Sequence, residues 1–283
     1  MFRTILAFLR EVLQEWSNDN ALTLGAALAY YTIFSMAPLL VLAIAVAGLV
    51  FGRAAAEGQI VAQIQDVMGP QGAELIQNMI QRASEPATGA IATVVSLATM
   101  FFGASGVFGQ LQSSLNLIWG ADSLRRTGVK GQLQRRAASF SMILGIGFLL
   151  LISLALSTLI SGLHQAIDVY LTVPSELISL ANFSVSFLVV MALFAMIIKL
   201  LPDARIEWRD VWLGAAVTAV LFTIGKGLIG IYLGRAGVTS VYGAAGSLVL
   251  VLLWVYYSAQ LLFLGAEFTE VYSRRFGSRK EVA

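Results

Sequence analysis

The sequence predicts an all-α polytopic membrane protein: a six-transmembrane-helix bundle with an N-terminal interfacial helix and an outer amphipathic helical hairpin. Of its 283 residues, 58% are hydrophobic and only 12% are charged, whereas a typical soluble domain carries about 25% charged residues. Apolar stretches long enough to cross about 30 Å of hydrocarbon, at about 20 residues each, recur along the chain. They lack the alternation of a membrane β-barrel, and lipid offers no partner to free backbone groups, so helices are expected.

The predicted spans are separated by short polar segments, except for one long connection after the first span. The spans are expected at 22–51, 89–118, 137–163, 178–201, 211–234 and 243–271. They form a membrane domain over 18–271, which a basic tail over 272–283 follows. Because an even number of crossings returns the chain to its starting side, both ends of the chain are expected on one side of the membrane.

An amphipathic helix is predicted before the first span, over 1–17. Apolar residues recur there at helical spacing, and Arg3, Arg10, Glu11 and Glu15 occupy the rest of the surface. Such a helix lies in the membrane interface with its apolar face in the lipid. The apolar set is Phe2, Ile5, Leu6, Leu9, Val12, Leu13 and Trp16.

The long connection over 52–88 is predicted to be an amphipathic helical hairpin on the outer face. Its apolar residues recur at helical spacing on both sides of a turn with the sequence GPQG, at 69–72, and glycine with proline commonly marks such a turn. The hairpin can serve as a lid, as a surface that docks a partner, or as packing. The sequence favours packing.

Positive charge predicts the orientation of the chain. Of the 18 Lys and Arg, 14 fall on the side of the two chain ends, three fall on the opposite side, and Lys226 lies within a span. Since cytoplasmic segments carry the excess of Lys and Arg, both termini are expected in the cytoplasm. These cations are expected to contact the anionic headgroups of membrane lipids at the cytoplasmic face, and no nucleic-acid partner is expected.

The first span contains Pro38, which removes one backbone donor and predicts a kink. The kink is either a structural bend or a hinge or broken helix that lines a cavity, as in many transporters. Under the second interpretation, Ser35 and Pro38 are candidate cavity residues.

A polar stripe is predicted on the inner half of the second span. Ser105, Gly109, Gln112 and Asn116 follow each other at steps of four, three and four, so they share one helical face. Such a stripe either bonds to a neighbouring helix or lines a water-filled cavity, and both interpretations stay open. Ser105, Gln112 and Asn116 are therefore candidate cavity residues.

Lys226 is placed at depth in the fifth span. It lies seven residues before Leu233, which puts it about 11 Å from the outer boundary at about 1.5 Å per residue. It shares a face of small and polar residues with Thr223 and Gly230. No carboxylate of another span lies at matching depth, so the ammonium either reaches water and hydroxyl groups or contacts the anionic headgroup of a substrate. Thr223, Lys226 and Gly230 are candidate substrate residues.

Lys199 and Glu267 form a second candidate feature, an ion pair at the cytoplasmic side. Both lie near the inner ends of their spans, at the same level. They either pair with each other or both face water.

No catalytic site, cofactor or metal site is predicted, and an enzyme is not expected. The GxSxG and HExxH motifs and the Walker phosphate-binding loop are absent from the sequence. His164 and Asp168 offer only two ligands on one helical face, so a surface role is expected for them. Without cysteine, thiol chemistry is excluded.

Four segments carry a resemblance to a known family. They are LGAALAYYTIFSMAPLL at 24–40, LQSSLNLIW at 111–119, LPDARIEWRDVWLGA at 201–215 and VYGAAGSLVLVLLWVYYSAQLLFLGAEF at 241–268. In this order the segments resemble the YihY/BrkB family of bacterial inner-membrane proteins over nearly the whole chain. The resemblance implies six spans in the inner membrane. It also implies a link to the movement of lipid or lipopolysaccharide, while the family's older label, ribonuclease BN, is regarded as mistaken.

These features favour a transporter or export factor for an anionic lipid or a related amphiphile. The lysine at depth, the proline in the first span and the polar stripe of the second are the residues that motivate it. Two alternatives stay open: a membrane scaffold whose hairpin docks a periplasmic or membrane protein partner, and a transporter of small solutes or ions. Ribonuclease activity is not expected, because no site for it is found.

Overall fold

The computed structural model describes residues 2–83, 106–121, 175–235 and 245–279. All the secondary-structure elements in these ranges are helices, as the all-α class predicts. They are α1 (Phe2–Asn18), α2 (Ala21–Phe51), α3 (Arg53–Ala83), α4 (a helical segment at 106–118), α5 (Ser175–Leu200), α6 (Trp208–Arg235) and α7 (Gly246–Arg275).

Four of the described helices are long and apolar enough to cross a membrane. The qualifying stretches are Ala21–Ala45 in α2, Ser179–Leu200 in α5, Trp208–Leu228 in α6 and Gly246–Arg275 in α7. These stretches correspond to the first, fourth, fifth and sixth predicted spans. The third predicted span, and residues 89–105 of the second, lie outside the described residues.

The amphipathic helix α1 packs one face onto α7 and leaves the other exposed. Phe8 and Val12 are buried against Val271, and the ring of Phe8 meets that of Phe268 edge-on, with the centroids 5.1 Å apart. On the opposite side several large apolar side chains have no cover from the described residues. They are Ile5, Leu6, Leu9 and Leu13.

A turn at residues 19–20 joins α1 to α2. Asn20 adopts a left-handed backbone conformation with φ 52° and ψ 42°, which asparagine tolerates better than most residues. Its side chain donates a hydrogen bond to the carbonyl of Asn18 (3.2 Å) and does not cap α2. Pro38 lies inside α2, which stays helical on both sides of it. The described structure thus shows no break in α2 at Pro38.

The helix α3 is divided at Gly69, where φ is 75° and ψ is −180°. This conformation is open to glycine and strained for residues with a Cβ atom. Pro70 follows, and it lacks the N–H that a continuing helix would use. The apolar side chains of α3 pack onto α2 and α7. The buried members of this cluster are Met36, Ile44, Ile76, Ile80, Leu250 and Val251.

The antiparallel helices α6 and α7 cross closely where each presents a glycine to a threonine of the other. A Cβ atom on Gly214 would collide with Thr269, and one on Gly265 would collide with Thr218. Each threonine hydroxyl donates to a carbonyl of its own helix at 2.7 Å, from Thr218 to Gly214 and from Thr269 to Gly265. The small residues let the backbones approach, and the hydroxyls are satisfied without a partner on the other helix.

The helix α7 lies at the centre of the described structure and contacts α1, α2, α3 and α6. The main apolar core gathers side chains from α2, α4, α5, α6 and α7 around it. Its buried members include Leu28, Leu115, Ile198, Val211 and Phe263. The helix α1, the loop between α5 and α6, and the turn after α7 lie together at one end of the bundle, which we call the terminal end.

Candidate functional site

Lys226 lies one helical turn after Phe222 on α6, so the two residues share a face of the helix. Phe222 contacts the ring of Phe194 in α5, with centroids 5.5 Å apart, and the ring of Trp254 in α7, with centroids 6.0 Å apart. The face that carries Lys226 is thus turned toward the neighbouring helices.

The residues around Lys226 support this orientation. Gly225 is buried against the hydroxyl of Tyr257 in α7, where a Cβ atom would collide. Lys226 itself is half-buried, and no ion pair joins it to another residue that the structure describes. The exposed face of α6 carries Val220, Ile224 and Leu228.

The two other candidate residues of α6 have different surroundings. Thr223 is half-buried, and its hydroxyl donates to the carbonyl of Ala219 at 2.8 Å, so its proton is used within α6. Gly230 lies in the last part of the same helix, five residues before its end at Arg235.

Asn116 is buried, and both the nitrogen and the oxygen of its side-chain amide form hydrogen bonds with the loop between α5 and α6. Its Nδ2 donates to Oδ2 of Asp203 at 3.1 Å, and its Oδ1 accepts from the backbone N–H of Asp203 at 2.7 Å. The two residues are 87 positions apart in the chain. Asn116 therefore anchors a loop to α4 by two hydrogen bonds.

The other members of the predicted stripe do not share one environment. Gln112 is buried, whereas Gly109 is exposed and has no neighbour within 4 Å of the place where a Cβ atom would stand. Ser105 lies outside the described residues.

The two candidate residues of α2 lie beside α4. Ser35 is buried, and its hydroxyl oxygen lies against Gly106 of α4, where an added Cβ atom would be 3.4 Å from it. Pro38, three residues further along α2, is half-buried. The structure thus brings Ser35 to α4 and keeps Pro38 within an unbroken helix.

The candidate ion pair of Lys199 and Glu267 is not formed in the described structure. Nζ of Lys199 donates instead to the carbonyl of Ile206, and it lies 5.8 Å from the centroid of the Trp208 ring. The Lys199 ammonium group is therefore bound by a backbone carbonyl of the loop between α5 and α6. Glu267 is only 1% exposed, and its Oε1 has no hydrogen-bond partner among the described residues.

Sequence reasoning missed an ionic cluster that ties α1 to the end of α7. Arg274 pairs with Glu11 at 2.9 Å, with Glu15 at 3.0 Å and with Glu270 at 3.6 Å. Arg275 also pairs with Glu11. The spacing of Glu270 and Arg274 predicts a pair within one helix, but no local signal predicts that α1 reaches α7.

Asp19, in the turn between α1 and α2, was missed as well. Burial raises the pKa of its carboxyl group, the nearby Glu15 carboxylate also raises it, and the hydrogen bond with Glu267 lowers it in part. The net effect is a pKa above the usual range for aspartate.

The turn after α7 is held to the start of α6 and to α4. Asp210 is buried and accepts hydrogen bonds from the backbone N–H of Ser278 at 3.0 Å and from its hydroxyl at 2.6 Å. The guanidinium of Arg279 lies 5.5 Å from the ring centroid of Trp119, within range of a cation–π contact. Side chains of the start of α6 and of the end of α4 thus hold the turn after α7.

Within the described ranges, no group of three or more histidine, cysteine or carboxylate side chains is placed to hold a metal ion. His164 and Asp168 lie outside these ranges. The described residues offer buried amides, buried carboxyl groups and two half-buried lysines, Lys199 and Lys226.

Comparisons with known proteins give one consistent result. The model of the family described as virulence factor BrkB matches residues 12–283. A UPF0761 membrane protein of Alcanivorax borkumensis is 24% identical over 276 residues, which cover 94% of this chain and 60% of that protein. A UPF0761 membrane protein of Azotobacter vinelandii is 28% identical, covering 93% and 62%, and one of Psychromonas ingrahamii is 26% identical, covering 89% and 82%.

The chain spans 60% of the length of the first of these relatives and 62% of the second. No solved structure matches the chain.

Proposed function

The chain belongs to the BrkB family of membrane proteins, and from this premise we propose that it is a transporter or export factor for an anionic lipid or a related amphiphile. It is an integral membrane protein, as its relatives and its long apolar helices indicate. The observation that carries the proposal is the place of Lys226 on the packed face of α6.

The half-burial of Lys226 makes an anionic ligand favourable. It lies 18 residues after Trp208, or about 27 Å along the helix at about 1.5 Å per residue, and so near the far end of the apolar stretch Trp208–Leu228. An ammonium removed from water is costly unless an anion or several oxygens replace its hydration. Since no described carboxylate pairs with Lys226, the headgroup of a lipid is a fitting counter-ion.

The apolar surroundings favour an amphiphile over a small ion. The rings of Phe194, Phe222 and Trp254 lie in contact on the same side of α6 as Lys226. A cation beside apolar aromatic surface suits a ligand that has both a charged headgroup and hydrocarbon. A small inorganic anion would instead need a shell of hydrogen-bond donors.

The scaffold alternative has less support from the contacts of α3. Its apolar residues, such as Ile76 and Ile80, are buried against α2 and α7, and Gln63, Gln77 and Gln81 are among its exposed residues. An apolar surface usually anchors a docked partner. In α3 this surface is packed against α2 and α7 instead.

Lipid movement in liposomes tests the proposal. The full chain is reconstituted with a fluorescent phosphatidylglycerol, and exchange between leaflets is followed by chemical quenching of the outer leaflet. Lys226→Met removes the charge at nearly constant volume and should slow exchange about 10-fold or more, because a hydrogen bond to a charged group contributes about 1.5–3 kcal/mol. Lys226→Arg should retain most of the rate.

Ile224→Met is the matched control, since it changes a side chain on the exposed face of the same helix. It should exchange lipid at the wild-type rate. Equal rates for wild type and Lys226→Met would refute the role of the lysine. Uptake of a small organic anion without any movement of lipid would refute the amphiphile as substrate.

A further inference from the structure

One side of α6 is exposed from the first residue of its apolar stretch to the last. Its larger exposed side chains recur mainly at spacings of four and seven residues, which keeps them on one side of the helix. Since α6 is long and apolar enough to cross a membrane, lipid chains contact this side when it does so. The members are Trp208, Trp212, Leu213, Val220, Ile224 and Leu228, each between 41% and 63% exposed.

Arg209 lies at the start of this exposed side. It comes four residues before Leu213 and 11 residues before Val220, spacings that correspond to about one and three helical turns. The Arg209 side chain is 66% exposed. Because the apolar stretch begins at Trp208, the guanidinium group lies at the boundary between membrane hydrocarbon and water.

Two tryptophan rings beside Arg209 are typical of the same boundary. The ring centroids of Trp208 and Trp212 are 6.1 Å apart, and their planes are inclined by 31°. The ammonium group of Lys199, at the end of α5, lies 5.8 Å from the Trp208 centroid and so positions this ring by a cation–π contact. Tryptophan is enriched where a membrane protein passes the lipid headgroups.

The guanidinium group of Arg209 is only partly engaged by the protein itself. Its Nε lies 3.1 Å from Oε2 of Glu207 and 3.8 Å from Oδ1 of Asp210. Glu207 is 62% exposed, and exposed ion pairs of this kind are weak. The buried Asp210 carboxylate accepts two hydrogen bonds from Ser278. Both contacts of Arg209 are made by Nε, and a guanidinium group carries further N–H donors on its two terminal nitrogens.

A second cation, Arg205, lies in the loop just before α6. It is exposed, and no ion pair joins it to another residue that the structure describes. The loop is fixed on both sides of it, because Asp203 is bonded to Asn116 and the carbonyl of Ile206 accepts from Lys199. Arg205 is thus held near the start of α6, where it adds positive charge.

We propose that the corner between α5 and α6 binds an anionic phospholipid of the membrane leaflet at the terminal end. The phosphate accepts hydrogen bonds from Arg209, whose planar guanidinium group fits phosphate oxygens. The acyl chains lie along Leu213, Val220 and Ile224, which a free phosphate could not use. A zwitterionic lipid is less favourable, because the cations of the corner repel the positive group of its headgroup.

This site is separate from the ligand proposed for Lys226. Lys226 lies 17 residues after Arg209, about 26 Å further along the helix, and so near the opposite end of the apolar stretch. Binding of a lipid at the corner therefore does not depend on what the protein transports.

Native mass spectrometry of the full chain tests the site. The protein is released from detergent micelles that contain equal amounts of phosphatidylglycerol and phosphatidylcholine. Wild type should retain phosphatidylglycerol several-fold more than phosphatidylcholine, and Arg209→Gln should lose most of this preference. Arg82→Gln, which removes an exposed arginine of α3, is the matched control and should bind lipid as wild type does.

Glu207→Gln separates a lipid site from a structural role of the ion pair. If Glu207 competes with the phosphate for Arg209, removing its charge should raise the retention of phosphatidylglycerol. A structural role of the pair predicts a loss in both variants. The midpoint of thermal unfolding in detergent without lipid should stay at the wild-type value, since both side chains are exposed.

Three results would overturn the site: equal retention of phosphatidylglycerol by wild type and Arg209→Gln, lower retention by Glu207→Gln, or displacement of the lipid by inorganic phosphate. Equal retention of the two lipids by wild type would overturn the preference for an anionic headgroup. If Arg209→Gln proves unstable, the direction of the change in Glu207→Gln still decides between the two roles.

Discussion

At the scale of single residues, Asn116 connects α4 to the loop between α5 and α6, which lies 87 positions further along the chain. Removing its amide leaves a carboxylate oxygen and a backbone N–H of Asp203 without their partners. Loss of such contacts costs about 1–3 kcal/mol when the groups stay buried, and less when water can reach them. Asp203 is exposed, so the lower half of this range applies.

We therefore expect Asn116→Leu to lower the midpoint of thermal unfolding by a few degrees, measured in detergent with an environment-sensitive dye. Ser113→Ala, at an exposed position of the same helix, should leave the midpoint unchanged. A variant of Asn116 as stable as wild type would mean that the loop between α5 and α6 is held by other contacts, such as that from Lys199 to Ile206.

At the scale of elements, the crossing of α6 and α7 depends on two glycines. A side chain at Gly265 would occupy the place of the Thr218 side chain. Gly265→Leu should destabilise the protein by about 1–3 kcal/mol or more through overpacking. The measurement is unfolding of the reconstituted protein in denaturing detergent, with Gly227→Leu as control because that position has no neighbour within 4 Å. Equal stability of the two variants would contradict the close crossing.

The helices themselves could be predicted because hydrophobicity and length are local properties of the sequence. The positions of α2, α5, α6 and α7 follow from apolar runs, and lipid requires those runs to be helical. Contacts between elements were not predictable in this way. The pairing of Asn116 with Asp203 and that of Arg274 with Glu11 depend on how distant segments pack. The pairing proposed for Lys199 and Glu267 rested on equal depth, and depth does not determine which side of a helix faces which neighbour.

At the scale of the whole molecule, the positive charge on the terminal end determines the expected orientation. The helix α2 is long and apolar enough to cross the membrane between Asn18 and Gln71, so we expect these two exposed residues on opposite sides. Because the chain has no cysteine, a single cysteine can be introduced at either place. In intact spheroplasts, a membrane-impermeant maleimide should label Gln71→Cys and should leave Asn18→Cys unlabelled until the cells are lysed. Labelling of Asn18→Cys in intact spheroplasts would reverse the orientation.

The docking of α1 onto α7 has a consequence for how the protein is made. Glu11 and Arg274 are 263 residues apart, and synthesis at about 5–20 residues per second separates their appearance by tens of seconds. During that interval α1 has left the ribosome, while the surface that will cover Phe8 and Val12 does not yet exist. An amphipathic helix such as α1 can lie in the membrane interface during that interval. It packs onto α7 only after α7, the last helix, has been inserted.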